Sequence, residues 1–247
     1  MNKENIVPAV AKTLELLDSL GRSERGATQA ELMKELNITM STCYRIIQTL
    51  HKYDWIRKLP GNRYDISGGL LSAAMKLSDS TARFKAAQPA LEHLAAQVGL
   101  SAKLSIRQGS EQITILRAES PKPLSVYGRV GSRFPIVEGS VGAALLSAVA
   151  PDDIVRLAAE CRDKIPEKAN PEIIMDRILD IHHQGYCFNA RHSRWKVDAM
   201  SIPVADTDGQ VIAAITLLGF DDDFQKIKLD ELAAHLRRVA VECAKLI

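Results

Sequence analysis

Residues 39–66 read TMSTCYRIIQTLHKYDWIRKLPGNRYDI, and the order of residue types in this stretch decides the first part of the fold. Thr39 is a good helix cap, and Cys43, Ile46, Ile47 and Leu50 recur at helical spacing, which predicts a helix running to about Tyr53 with one buried side. The other side carries Ser41, Arg45, Gln48 and Lys52, with Thr42, Tyr44 and Thr49 beside them. It holds hydroxyls, an amide and cations but no carboxylate, whereas a merely solvated helix usually mixes in glutamates. Arginine and glutamine can pair with base edges while hydroxyls and lysine contact phosphate, so the surface suits the major groove of DNA. Strand-like residues then flank Pro60-Gly61-Asn62, predicting a β-hairpin with basic residues near its tip.

Upstream, Val10, Leu14, Leu17 and Leu20 predict a helix over residues 8–20, begun by Pro8 and stopped at Gly21. Thr28-Gln29-Ala30-Glu31 is a capping-box signature for a second helix, with Leu32, Met33 and Leu36 as its buried stripe. Asn37 tolerates the left-handed turn before Thr39. Helix, helix-turn-helix and basic hairpin in this order form a winged helix-turn-helix, a more specific signal than a helix-turn-helix alone. Arg45, Lys52, Arg57, Lys58 and Arg63 face Asp54 alone between residues 39 and 63, a local cationic excess that the chain's net charge of +2 conceals.

The chain has 247 residues, 46% hydrophobic and 25% charged, which suits two folded domains better than one. Cys43, Cys161, Cys187 and Cys243 are scattered, which argues against a disulfide framework or zinc ribbon and fits a reducing cytoplasm. No apolar run is long enough for a signal peptide or a membrane span, so a cytoplasmic protein without membrane contact is expected. No cofactor is expected either: no phosphate-binding loop or dinucleotide fingerprint occurs.

Beyond residue 66 an apolar helical segment predicts a connection between domains, giving boundaries of 1–66, 67–85 and 86–247. Residues 86–98 read as a helix ended by Gly99, followed by strand-like runs at 102–107, 112–117 and 124–130. Helices recur at about 140–149, 151–160 and 171–183, the last with Asn170 as cap and Gly185 past its end. Strands at 197–205 and 211–218 flank Asp206-Thr207-Asp208-Gly209, a hairpin signal, and a terminal helix begins at Leu229. The class is therefore α+β, with an antiparallel sheet and packed helices in the second domain.

Ser41-Thr42-Cys43-Tyr44-Arg45-Ile46-Ile47 and Gly61-Asn62-Arg63-Tyr64 resemble the recognition helix and wing of the IclR family of transcription regulators. The resemblance continues through Pro123-Leu124, Arg129-Val130-Gly131, Gly142, Ala144-Leu145-Leu146, Gly185-Tyr186 and Ile202-Pro203-Val204. It implies a GAF/profilin-like effector domain, a connecting helix that helps pair subunits, and a homodimer or tetramer on an operator. By the same resemblance Ser41, Thr42, Tyr44 and Arg45 face DNA, and Arg57, Lys58 and Arg63 grip flanking phosphates; Thr39 at the helix start and Gln48 on the same face are expected to join them. The implied effector pocket takes in Gly128, Ser140, Val141, Asn189, Ala199, Thr216 and Leu218. Relatives carry acidic residues after the Gly-Tyr pair, then a glycine and a cysteine; this chain has Asn189-Ala190-Arg191-His192, then Lys196 and Ala199.

Gly139-Ser140-Val141-Gly142 sits where a helix should begin, and free amides there favour an anion; glycine and serine would equally permit close helix-on-sheet packing. Arg191, Arg194 and Lys196 make the nearby loop basic and Trp195 gives it an apolar face, so an anionic effector, a sugar acid or an aromatic acid, is expected. Other readings stay open. Ser140 as the nucleophile of a hydrolase lacks the first glycine of the Gly-x-Ser-x-Gly elbow. His182, His183, Cys187 and His192 match no standard zinc spacing. A DNA-binding dimer that senses nothing, its cavity filled by Trp195, is the third alternative.

Overall fold

The computed structural model describes residues 6–71, 84–163, 165, 169–190 and 197–247. The chain divides into two compact units between Thr81 and Ala82. Most of the connecting helix expected over 67–85 lies outside the described residues, as do Arg191, His192, Arg194, Trp195 and Lys196.

The first unit runs α1 (Pro8–Arg22), β1 (Ala27–Thr28), α2 (Gln29–Leu36), α3 (Met40–Lys52), β2 (Ile56–Leu59) and β3 (Arg63–Ile66). Its strands form an antiparallel sheet in the order β1-β3-β2. The capping box at α2 is made: Thr28 Oγ1 accepts the Glu31 amide at 3.3 Å, and the Glu31 carboxylate accepts the Thr28 amide at 2.7 Å. Asn37 takes the left-handed turn at φ 50°, and Thr39 caps α3 by accepting the Thr42 amide at 3.3 Å. Cys43, Ile46, Ile47 and Leu50 of α3 pack against Leu16, Leu20, Leu32 and Ile56, so the helix-turn-helix shares one core with the wing.

Two expectations for α1 are corrected. The helix continues through Gly21 to Arg22, and Ser23 closes it by donating a hydrogen bond from its backbone N–H to the Leu20 carbonyl at 3.0 Å. The glycine that turns the chain is Gly26, at φ 68°, where a Cβ would overlap the Tyr64 carbonyl. The buried side is only partly as expected: Leu20 is buried and Leu17 packs against the core, joined by Leu16 and Ser19, whereas Val10 and Leu14 are more than half exposed. The periodic stripe is thus exposed in the first half of the helix and meets the core in the second.

The second unit runs α4 (Gln88–Val98), β4 (Ser101–Gln108), β5 (Glu111–Ala118), β6 (Arg133–Pro135), α5 (Gly139–Leu146), α6 (Pro151–Cys161) and α7 (Pro171–Gln184). It continues with β7 (Cys187–Asn189), β8 (Val197–Ala205), β9 (Val211–Phe220), α8 (Asp221–Phe224) and α9 (Leu229–Leu246). The sheet is antiparallel and six-stranded, in the order β6-β5-β4-β9-β8-β7. Alternate residues of the strands, among them Leu104, Met200, Ile202, Ile215 and Leu217, meet α4 and α9 in one apolar core. The opposite face is covered by α5, with α6 and α7 packed behind it in a second core. Residues 140–146 of α5 are all buried.

The strand expected over 124–130 does not form. Leu124, Tyr127 and Val130 are 75%, 48% and 51% exposed, so the segment has no apolar face to bury. Backbone bonding to β5 begins only at Gly131, whose amide reaches the Thr114 carbonyl at 2.7 Å, and a strand follows at Arg133–Pro135. Residues 187–189, read from sequence as loop, form a short edge strand on β8. Among the described residues no helix is long and apolar enough to cross a membrane.

Candidate DNA-binding and effector sites

Helix α3 presents Ser41, Tyr44, Arg45 and Gln48 as exposed side chains and Thr42 as a half-buried one. Thr39 spends its hydroxyl at the helix start, donating to Thr42 Oγ1 at 2.9 Å. Arg45, Gln48, Lys52 and Lys58 make no side-chain hydrogen bond or ion pair among the described residues, so their polar groups are available to a partner. At the start of α3 a cleft of about 590 Å³ is lined by Gln29, Thr39, Met40, Ser41 and Tyr44.

On the wing, Arg57 pairs with its cross-strand partner Asp65 at 3.1 Å but stays largely exposed. Arg63 has internal partners. Its guanidinium donates to the Arg25 carbonyl at 3.2 Å, the Gly26 carbonyl at 2.8 Å and the Glu31 carboxylate at 3.0 Å. Hydrogen bonds from Thr28, followed by the charge of Arg63, hold the Glu31 carboxyl below its ordinary range. Arg63 therefore ties the wing to the start of α2. Arg63→Ala is expected to cost about 1 kcal/mol of stability, because the partners are partly exposed. Lys58→Ala should leave stability unchanged and reduce the salt slope of DNA binding by about 1. Thermal melts and salt titrations of both variants check this; a reversal of the two phenotypes would contradict it.

In the second unit, the strand register places Asn189, Ala199, Thr216 and Leu218 on the sheet face beneath α5. Asn189, Ala199, Leu218 and Ser101 form one cross-strand row. Ser201, Thr216 and Lys103 form the next, and Ala214, Ser105 and Thr114 the third. Ser140, in the first turn of α5, joins the second row: its Oγ lies 2.8 Å from Ser201 Oγ, which lies 2.9 Å from Thr216 Oγ1. All three hydroxyls are buried, and the chain they make satisfies groups that would otherwise be costly to bury. A Cβ on Gly128 would stand 3.1 Å from Lys103 Cδ, so the chain at Gly128 runs across the lysine stem. Asn189 accepts from Arg177 at 3.4 Å, and a Cβ on Gly139 would lie 3.8 Å from its amide nitrogen.

The face thus brings together Gly128, Ser140, Asn189, Ala199, Thr216 and Leu218 of the expected residues, while Val141 is buried in the apolar core around α5. It adds Lys103, Ser105, Thr114 and Ser201, which sequence reasoning passed over. Lys103 is only 7% exposed, and burial pushes its pKa down to about 8, opposed by the negative charge of Glu138. Close packing of α5 is also real: Gly142 is the point of nearest approach, where a Cβ would overlap the Ile136 carbonyl. The two readings of residues 139–142 are therefore compatible, with Gly142 serving the packing and Ser140 the polar face. As a nucleophile Ser140 lacks a base: its hydrogen-bond partner is another hydroxyl. His182 is bonded to the Ser147 carbonyl at 2.8 Å, and Cys187 is buried with its thiol pushed up to about 12 by desolvation. A separate open groove of about 590 Å³, between the end of β8 and α9, is lined mainly by apolar residues such as Ile202, Ala240 and Val241.

Comparison with known proteins follows the same division. Residues 9–60 match the family profile described as the IclR helix-turn-helix domain, and residues 75–244 match that described as the bacterial transcriptional regulator IclR C-terminal domain. The chain is 21% identical over 247 residues to the HTH-type transcriptional regulator KipR of Bacillus subtilis, covering 99% of this chain and 98% of KipR. A crystal structure of an IclR transcriptional regulator from Alicyclobacillus acidocaldarius superposes with a TM-score of 0.78 at 23% identity, covering 98% of this chain and 99% of that one. An IclR homologue from Microbacterium hydrocarbonoxydans, crystallised with 4-hydroxybenzoate, gives a TM-score of 0.79 at 17% identity over 96% and 98% of the two chains.

Proposed function

Because the chain belongs to the IclR family of DNA-binding transcription regulators and is not an enzyme, we propose that it recognises a specific operator and that a small organic acid bound beneath α5 sets its affinity. The observation that carries this reading is the exposed face of α3, where Ser41, Tyr44, Arg45 and Gln48 project without a single carboxylate. Thr42 adds a shared hydroxyl, while Arg57 and Lys58 of the wing supply phosphate contacts on either side. Thr39 contributes as the cap that fixes the start of the helix. The effector set is Gly128, Ser140, Val141, Asn189, Ala199, Thr216 and Leu218.

The working form is a homodimer, which pairs two recognition helices on a two-fold operator. The apolar surface at and before the start of α1 supports this: Ile6 and Val7, which precede the helix, and Val10 and Leu14 within it are all about half exposed or more, a surface that a lone subunit would leave in water. Effector occupancy acts by favouring one arrangement of the paired heads over another. The 4-hydroxybenzoate in the Microbacterium homologue is an instance of an organic acid bound by a protein of this fold.

Fluorescence anisotropy on DNA from the gene's own upstream region tests the proposal, titrated at moderate salt with and without a panel of carboxylates. Specific binding that one class of acid strengthens or weakens is the expected result. Binding indistinguishable from that to unrelated DNA would sink it, and so would indifference to every acid.

A further inference from the structure

Lys103 is out of place in a well-satisfied fold. It lies on β4, in register with Thr216, and its stem runs beneath the Gly128 loop to within 5.8 Å of the Phe134 ring centroid. Its nitrogen makes no hydrogen bond and has no carboxylate within ion-pair distance among the described residues. An ammonium so enclosed costs folding free energy unless something returns the lost hydration. Glu138 acts on it only at longer range, enough to oppose part of the desolvation. With a pKa of about 8, the amine is still mainly a cation at neutral pH.

Two residues along the same strand, on the same face, Ser105 Oγ is buried without a hydrogen-bond partner. An unpaired buried hydroxyl is a second independent cost, and it lies on the same side of the sheet as the first. Around them lie the buried hydroxyls of Thr114, Ser140, Ser201 and Thr216, each 2% exposed or less; Arg117, in register with Lys103, is paired with Glu119, and the amide of Gln112 is spent on the Pro135 and Glu138 carbonyls. Hydroxyls can donate or accept as a ligand demands. Among the described residues the rings beside this face, Phe134 and Tyr127, are both about half exposed, Tyr127 lying against Arg117, whereas the hydroxyls are buried, a lining that suits a hydroxylated molecule more than a flat apolar one.

We propose that Lys103 is the charge-recognising residue of this pocket, its ammonium receiving the carboxylate of a small polyhydroxy acid whose hydroxyls are met by Ser105 and by the Ser140–Ser201–Thr216 chain. The assignment rests on the effector reading above and makes it more specific. Gly128 is the glycine that lets the backbone pass over the lysine stem. Ligand carboxylate and Lys103 neutralise each other in a site largely closed to water, where a charge-assisted hydrogen bond is strong.

The test is calorimetric titration of the full chain with gluconate and xylonate, with glucitol as the neutral counterpart of gluconate, and with 4-hydroxybenzoate as the aromatic acid. The wild type should bind at least one sugar acid and prefer it to glucitol and to 4-hydroxybenzoate. Lys103→Met should weaken that acid by ~10-fold or more, the loss of one charge-assisted bond, while any weak glucitol binding stays the same. Lys103→Arg, which keeps the charge, should retain the preference for the acid. Circular dichroism and melts of the unliganded variants establish that they fold; Lys103→Gln repeats the measurement if Lys103→Met does not. Acid binding by Lys103→Met or Lys103→Gln within about twofold of wild type overturns the proposal but leaves the pocket intact. Preference for glucitol or 4-hydroxybenzoate, or no binding by either sugar acid, also overturns it. Ser140→Leu, which fills the space, separates the two levels: an acid that still binds this variant refutes the effector site itself, whatever Lys103 does.

Discussion

Gly142→Ala is expected to destabilise the second unit by about 3 kcal/mol or more, the upper range for overpacking against a rigid partner. The new methyl would overlap the Ile136 carbonyl oxygen, a backbone atom at the turn into α5, and would crowd the Val137 carbonyl carbon at 3.3 Å. Neither can swing aside as a flexible side chain would. Helix α5 must lift, and it is buried along nearly its whole length between the sheet and α7. Lifting it also breaks the Ser140–Ser201 hydrogen bond, so the polar face fails with the packing. Calorimetry of the full chain should show the second unit melting lower by roughly 6–12 °C. A shift below about 2 °C would mean that α5 is not clamped at this point.

Arg45→Ala is expected to weaken specific DNA binding by roughly 1–3 kcal/mol, the loss of a bidentate base contact, without lowering the melting temperature. Stability should be spared because Arg45 is exposed and its guanidinium has no partner among the described residues. Specificity should relax at one base position of each half-site, whereas a phosphate-contacting residue would lower affinity evenly across sequences. Anisotropy titrations on the operator and on single-base variants distinguish these cases. Unchanged operator affinity would remove Arg45 from the interface.

Local signals made the first unit legible. The capping box at Thr28 and Glu31, the turn at Asn37 and the period of Cys43, Ile46, Ile47 and Leu50 each depend on neighbours a few residues away, and each is found where those residues place it. Helix α1 was misread because periodicity detects an apolar stripe without saying what covers it. Of the periodic set Val10, Leu14, Leu17 and Leu20, only the last two meet the core, and Leu16, outside the set, is buried with them. Arg63 shows the same limit for charge: a cation on a wing reads as a phosphate contact, while the Glu31 carboxylate and the Gly26 carbonyl that the fold also brings to it go unseen.

The second unit was legible in its elements and less so in its interior. The resemblance named residues on one sheet face, but Lys103 escaped notice because a lysine in an alternating strand ordinarily points to water. The clue was present in the alternation of Ser101, Lys103 and Ser105 with Ala102, Leu104 and Ile106. On a sheet covered by helices on both sides, the polar half of such a pattern has nowhere to go but inward. The run at 124–130 misled for the opposite reason. Its residues have strand propensity, but pairing is decided by the neighbour available, and β5 receives the chain only from Gly131 onward.

A single sheet that is oily beneath and hydroxylated above separates two kinds of evolutionary freedom. Substitutions among Leu104, Ile202 and Leu217 disturb the framework that keeps the domain standing, whereas under the proposal above exchanges at Lys103 or Ser105, which no internal hydrogen bond holds among the described residues, would alter ligand preference at little cost to that framework. On that proposal, a lineage built on this plan could change the metabolite it answers to by editing a few side chains, with no need to invent a new scaffold.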